Sequence, residues 1–143
     1  MIGIIISGHG NFATGIQSSL NFIAGNVANI EYIDFVENDS TDILKQKYIN
    51  ALNNLNNCDN ILALTDLTGG SPFKTLVELK TEIKTPLDVV GGTNLPMILE
   101  ISMAKDFIND LSELTKTALD VGKKGIVKFE LFTHEETECE DGI

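Results

Sequence analysis

The sequence predicts a doubly wound α/β domain, with a mainly parallel sheet of four strands and helices on both faces. Two observations lead to this fold class. Short β-branched apolar runs recur along the 143-residue chain, and segments with helical periodicity separate them. Near-continuous apolar runs are typical of strands buried on both faces of a parallel sheet. The four runs are residues 3–6, 31–35, 61–65 and 87–91.

Two helices are predicted before the third strand. The first carries apolar residues at intervals of four and three from Phe12 to Ile23, and Gly25 is placed to end it. The second follows the polar residues 39–41 and runs into an asparagine-rich turn at residues 56–60. Each therefore connects one predicted strand to the next, as right-handed βαβ crossovers require.

Three further helices are predicted in the second half of the chain. Ser71 is the expected N-cap of the third, because a proline follows it at the first helical position. The fourth spans about residues 95–105. The fifth begins after Asp110, which forms a predicted capping box with Glu113, and its apolar stripe ends before Gly122.

The end of the chain differs in character from the rest. Residues 125–132 alternate between apolar and polar side chains, which predicts a half-exposed or edge strand. An acidic segment follows, and we expect residues 133–143 to be a disordered tail. The length fits one domain, which we assign to residues 1–132.

Composition excludes several classes of function. A formal net charge of −11 argues against a nucleic-acid or anionic-membrane surface. Cys58 and Cys139 lie in no metal-binding spacing, so no metal is predicted. The apolar N-terminus lacks a basic leader and is too short to span a membrane, which indicates a cytoplasmic protein without membrane insertion. Neither a P-loop nor a dinucleotide fingerprint is present, so no cofactor is expected.

His9 is the first candidate for chemistry. It lies between Gly8 and Gly10, where a buried strand ends before a helix. Imidazole is a usable nucleophile near neutral pH when one ring nitrogen is accessible, and flanking glycines leave room for a reagent. A histidine that only caps the first helix, or that bonds a loop carbonyl, is the alternative interpretation.

The end of the third strand adds two further elements. Asp66 can accept a hydrogen bond from one His9 nitrogen and leave the other free to attack, although an Asx-type loop cap is the simpler alternative. Gly69, Gly70 and Ser71 open a helix whose free N–H groups can hold an anion. Tyr32 and Tyr48 are interpreted as packing residues.

The motifs that carry these residues resemble a known family. Residues 4–10, 66–73 and 92–97 are similar to the three signature loops of the IIA component of the mannose-type sugar phosphotransferase system (PTS). The resemblance runs in order from Met1 to about Phe132. All three loops match, which makes the resemblance specific.

The resemblance implies a phosphoryl carrier. The Nε2 atom of His9 would take a phosphoryl group from the phosphocarrier HPr and pass it to a IIB component, which serves the membrane components IIC and IID. Asp66 would hold Nδ1–H. The group would bind at Thr68, Gly69, Gly70 and Ser71, with Gly10, Thr93 and Asn94 in neighbouring loops. The resemblance also implies a homodimer in which residues 125–132 add to the partner's sheet.

Two positions depart from the family pattern, and two other functions stay open. Thr68 stands where the family often has a bulky aromatic residue, and Lys74 where it often has asparagine, which puts partner fit in doubt. The related phosphocarrier subunit of dihydroxyacetone kinase shares the fold and the active histidine. A non-catalytic module that binds a small anion and regulates a partner is the alternative from another class.

Overall fold

Residues 1–131, which a computed structural model describes, form one parallel sheet covered by helices. The strand order is β2-β1-β3-β4, and all three pairings are parallel. The predicted α/β fold class is therefore confirmed. The elements are β1 (Ile2–His9), α1 (Phe12–Ala24), β2 (Ile30–Phe35), α2 (Thr41–Asn54), β3 (Asn60–Thr65), α3 (Ser71–Lys80), β4 (Leu87–Val90), α4 (Leu95–Ala104) and α5 (Leu111–Lys124).

The sheet separates two hydrophobic cores, because successive side chains of a strand point to opposite faces. Ile4 and Ile6 of β1 pack with α1, α4 and α5, whereas Ile5 packs with α2 and α3. All three isoleucines are at most 1% exposed. Burial on both faces explains why β1 is a continuous apolar run and not an alternating one.

The start of α3 differs from the prediction by one residue. Its N-cap is Gly70, and Ser71 is the first helical residue, so the predicted cap at Ser71 is wrong. Gly69 has a positive φ of 85°, and Gly70 follows with extended backbone (φ −74°, ψ 173°). This pair turns the chain into the helix one position earlier than a serine cap would.

One detail of α5 was also predicted wrongly, and the helix extends past its predicted apolar stripe. Asp110 holds the N-cap position, but its side chain makes no capping hydrogen bond, so the capping box is not formed. The helix does not end at Gly122 but continues to Lys124. Glycine is needed inside the helix because a Cβ at Gly122 would lie 2.6 Å from the Cε of Met97 in α4.

The predicted C-terminal strand is not a strand in the single chain. Residues 126–131 pair with no other strand within the described part of the molecule. Their apolar side chains are 78–84% exposed, namely those of Ile126, Val127, Phe129 and Leu131. The predicted acidic tail, residues 133–143, lies outside the described residues, as does the proposed domain boundary.

Candidate active site

The carboxyl ends of β1 and β3 form the candidate site. These strands are parallel neighbours in which Ser7 stands opposite Thr65. The backbone N–H of Asp66 donates to the carbonyl of Ser7 at 3.2 Å, so the pairing continues just past the end of β3. His9, the last residue of β1, and Asp66, the first residue after β3, thereby lie close together, at the edge where ligands of doubly wound sheets bind.

Asp66 holds His9 through both the backbone and the ring. Its Oδ2 accepts hydrogen bonds from the His9 backbone N–H at 2.9 Å and from Nδ1 at 2.8 Å. The ring of Phe35 packs edge-on against the imidazole, with centroids 5.8 Å apart. Since the carboxylate can only accept, the proton of a neutral His9 resides on Nδ1, and Nε2 keeps its lone pair. The His9 side chain is 44% exposed, so this nitrogen can meet a reagent.

The environment keeps Asp66 ionised. Burial alone would raise its pKa, but hydrogen bonds from the backbone and ring of His9 and from the N–H of Leu67 outweigh burial and lower the pKa below its ordinary value. The Leu67 bond reaches Oδ1 at 2.8 Å, so both carboxylate oxygens are engaged. An ionised, fully bonded carboxylate is well suited to fixing one imidazole tautomer.

The free side of the His9 ring faces the start of α3. A Cβ placed on Gly70 would lie 2.9 Å from Cε1 and 3.5 Å from Nε2 of His9, so only a glycine lets the helix approach this closely. The Gly70 N–H itself donates to the Leu67 carbonyl at 3.2 Å. The Gly70 N–H is thus engaged within the loop, and its contact with the phosphoryl group stays a prediction. Within residues 1–131, the N–H groups of Ser71 and Phe73 have no acceptor.

Within the described part of the chain, no side chain caps the first turn of α3, whereas side chains cap α1, α2 and α4. In each of those three helices, which also follow a strand, the backbone N–H of the third helical residue donates to a side-chain oxygen. Asp34 accepts from Thr14 in α1, Ser40 from Ile43 in α2, and Asn94 from Met97 in α4. The corresponding amide of α3 belongs to Phe73 and finds no such oxygen among the described residues. The positive end of the α3 dipole is therefore left for an external anion.

The remaining predicted residues, Thr68, Thr93 and Asn94, make contacts within the loops beside the site. Thr68 lies over Gly91, since a Cβ there would come within 2.7 Å of the Thr68 Cα. Thr93 is buried, and its N–H donates to Thr65 at 3.0 Å. Asn94 caps α4 and also donates to the carbonyl of Gly122. The third loop thus braces the end of β3, and across the described residues it makes no hydrogen bond to His9.

Gly10 shapes the turn after His9. It has a positive φ of 60°, which glycine adopts at low cost, and its N–H donates to the Phe35 carbonyl at 2.8 Å. The turn leads into α1, where Asp34 also accepts from the Thr14 hydroxyl at 2.6 Å. The segment that follows His9 is therefore tied to β2 at two points.

Sequence reasoning missed Asp34 and the hydroxyl of Tyr48. Asp34 lies in a predicted strand and Thr14 in a predicted helix, and no local motif links them. Tyr48 is fully buried as its packing role requires, yet its Oη lies 2.7 Å from the Oγ of Ser7. The one available signal was the polar Ser7 at the end of an apolar strand, which needs a hydrogen-bond partner when buried.

Nothing in the described chain points to a metal or a membrane span. Residues 1–131 contain no group of three or more histidine, cysteine, aspartate or glutamate side chains placed to hold a metal ion. In the same residues, no helix combines the length and apolar character needed to cross a bilayer.

Fold and site together define a doubly wound α/β protein that presents an imidazole nitrogen to an open helix N-terminus. A model of the family described as "PTS system fructose IIA component" (EIIA-man) matches residues 3–119. The mannose-specific EIIAB component of Escherichia coli K12 is 32% identical over 125 residues, which is 87% of this chain and 38% of that protein. The chain belongs to the EIIA-man family of PTS components, and the resemblance seen in its motifs is confirmed.

Two relatives described as EIIA components match over nearly their whole length. The fructose-specific EIIA component of Bacillus subtilis is 29% identical over 134 residues, covering 90% of this chain and 91% of that protein. The crystal structure of an EIIA component from Streptococcus agalactiae superposes with a TM-score of 0.81 at 32% identity, over 90% of this chain and 97% of that one. The chain corresponds to 38% of the length of the first relative, the EIIAB protein.

Proposed function

We propose that this chain is the phosphoryl-carrier IIA subunit of a sugar phosphotransferase system and acts in the cytoplasm. His9 accepts a phosphoryl group from phospho-HPr and passes it to a IIB component, which serves the membrane components IIC and IID during sugar uptake. The observation that carries the proposal is the arrangement of one imidazole. Asp66 binds its Nδ1 at 2.8 Å, while Nε2 faces the uncapped start of α3.

The transfer follows from that arrangement. The Nε2 lone pair forms a bond to phosphorus as the bond from phosphorus to the donor's imidazole nitrogen breaks, and that bonding pair returns to the donor. The ring of His9 becomes cationic, and the Asp66 carboxylate stabilises it through Nδ1–H. Charge on the three phosphoryl oxygens meets the N–H groups of Ser71 and Phe73 and the α3 dipole, so positioning and electrostatics supply the catalysis.

The surface around His9 supports docking of a protein donor. Leu67, next to Asp66 in the chain, is 59% exposed, and Val77 of α3 is 41% exposed. A cleft of about 340 Å³ beside them is lined by Gly69, Phe73, Lys74, Val77 and Glu78. In-line transfer brings a donor phosphohistidine into contact with His9, so the donor must cover this surface.

The dimer belongs to the same proposal. Residues 126–131 expose four large apolar side chains in the single chain, and the outer edge of β4 has no strand partner in the described residues. Pairing of this segment with the β4 edge of a second copy buries the apolar side chains and closes an exposed edge. We propose a homodimer built by this exchange.

Incubation with phosphoenolpyruvate, enzyme I and HPr tests the proposed function. Intact-mass spectrometry should show one added phosphoryl group that is acid-labile and base-stable. The adduct should vanish in His9→Ala and persist in His134→Ala, which removes the other histidine of the chain. Absence of an adduct in the wild type, or its survival in His9→Ala, contradicts the proposal and favours a non-catalytic anion-binding module.

The acceptor is tested in a second step. Loss of the phosphoryl group on addition of a IIB component supports the sugar-uptake assignment. Loss only on addition of the dihydroxyacetone kinase subunits identifies the chain as the phosphocarrier of that kinase instead.

A further inference from the structure

A buried phenol connects the two halves of the candidate site. Tyr48 of α2 is fully buried, and its Oη lies 2.7 Å from the Oγ of Ser7 and 3.4 Å from the carbonyl oxygen of Pro72. Ser7 stands two residues before His9 on β1, and Pro72 is in the first turn of α3. One side chain therefore contacts both the strand that carries the nucleophile and the helix end that faces it.

The direction of these hydrogen bonds follows from the available donors. The Pro72 carbonyl can only accept, so the Tyr48 hydroxyl donates to it, and the Ser7 hydroxyl donates to Tyr48. Burial most of all, together with the nearby charge of Asp66, raises the pKa of Tyr48 despite the opposing hydrogen bond from Ser7. The phenol therefore keeps the proton that it donates to α3.

The geometry points to Tyr48 as a positioning residue that sets the distance between His9 Nε2 and the N-terminus of α3 through the Ser7–Tyr48–Pro72 hydrogen-bond chain. The inference rests on the proposed phosphoryl transfer. The close contact at Gly70 makes this distance critical, since that backbone already lies against the imidazole. Tyr48 touches neither the ring nor the phosphoryl group, so it acts only through the two elements it joins.

Substitution of Tyr48 by phenylalanine tests the inference in the full-length protein. Tyr48→Phe keeps the packing ring and removes the hydroxyl. The rate of His9 phosphorylation at saturating phospho-HPr should fall by roughly 3- to 10-fold, the change expected for one neutral hydrogen bond. The donor concentration at half-maximal rate should stay within about 2-fold, because Tyr48 is buried and cannot touch the donor.

Tyr32→Phe is the matched control. Tyr32 is the other tyrosine of the chain, it is partly exposed on β2, and within residues 1–131 its hydroxyl makes no hydrogen bond. Its removal should leave both kinetic parameters unchanged. Ser7→Ala breaks the same chain from the other end, so it should slow transfer similarly, and Ser7→Ala with Tyr48→Phe should be little worse than Tyr48→Phe alone. If Tyr48→Phe does not fold, the transfer rate and spectra of Ser7→Ala alone test the inference.

Two spectroscopic readouts do not depend on phosphoryl transfer. In Tyr48→Phe, the nuclear Overhauser effect between the His9 Cε1 proton and the Gly70 Cα protons should weaken. The Lys74 amide, which donates to the Gly70 carbonyl at 2.9 Å, should exchange faster with solvent. The Ile98 amide at the start of α4, bonded to Asn94 at 3.2 Å, should not change and serves as the internal control.

The outcomes separate the inference from the function on which it rests. A wild-type chain that takes no phosphoryl group contradicts the proposed function, and the two spectroscopic readouts then decide whether Tyr48 positions α3. A folded Tyr48→Phe or Ser7→Ala variant with wild-type spectra overturns the inference. A folded single variant that keeps the wild-type maximal rate also overturns the inference. The same holds if the fold-reduction in rate of the double variant equals the product of the two single reductions.

Discussion

Replacing Asp66 with asparagine tests how Asp66 prepares His9 for the proposed transfer. The substitution keeps the shape of the side chain but removes the charge and supplies an NH₂ group. That group can donate to Nδ1 of His9, where the carboxylate oxygen now accepts at 2.8 Å. An asparagine that donates there moves the imidazole proton to Nε2, the nitrogen that must attack.

The size of the effect follows from the bond that is lost. A hydrogen bond to a charged group contributes about 1.5–3 kcal/mol. The His9 side chain is 44% exposed, so solvent screening favours the lower part of that range. A loss of about 1.5–2 kcal/mol corresponds to a phosphoryl-transfer rate that is roughly 10- to 30-fold lower.

Two measurements check this prediction. Single-turnover transfer from phospho-HPr gives the rate, and ¹⁵N NMR of the imidazole gives the tautomer. The matched control is Asp88→Asn, since Asp88 is also a hydrogen-bonded carboxylate, held by Thr115 at 2.7 Å, but lies on β4 away from His9. An Asp66→Asn protein that transfers within 2-fold of the wild-type rate and keeps its proton on Nδ1 would refute the reasoning.

Three further outcomes are expected. Gly70→Ala should slow phosphoryl transfer at least 10-fold, because the added Cβ pushes against His9. Gly15→Ala is the control, since a Cβ there has no neighbour within 4 Å, and equal transfer rates in the two variants would contradict the close contact at Gly70. The lowered pKa of Asp66 makes its contribution to stability complete above about pH 4 and lost as pH falls through the folded-state pKa. The difference in urea-unfolding free energy between wild type and Asp66→Asn should therefore shrink in acid. A difference that stays constant with pH would argue against a lowered pKa of Asp66. Phe129→Glu, at a side chain 81% exposed in the single chain, should convert dimers to monomers in sedimentation, and a dimeric variant would reject strand exchange.

The sequence predicted the parts of the fold that depend on local pattern. Apolar runs located all four strands, and parallel pairing then placed the end of β1 beside the residue after β3. For this reason His9 and Asp66 could be associated although they are far apart in the chain. Their contact needs only strand order and the periodicity of side chains along a strand.

What the sequence did not predict depends on contacts between distant elements. A glycine inside a helix looks like a stop signal, and only the packing of Met97 against Gly122 shows why α5 continues past it. The bond between Tyr48 and Ser7 spans 41 residues and follows no motif. Capping at Gly70 instead of Ser71 is a choice between adjacent residues, which backbone geometry decides and composition does not.

The helix caps explain why one loop among four suits the phosphoryl transfer that we propose. Four helices begin at the same sheet edge, so four positive dipole ends compete for an anion. Side-chain oxygens from Asp34, Ser40 and Asn94 neutralise three of them internally. The remaining helix, α3, has Gly70 at its N-cap, which has no side chain to cap the helix and no Cβ to hold the imidazole away. In the proposed transfer, the same missing atom leaves the helix N-terminus open to the phosphoryl group and lets His9 approach it, so one position serves both binding and attack.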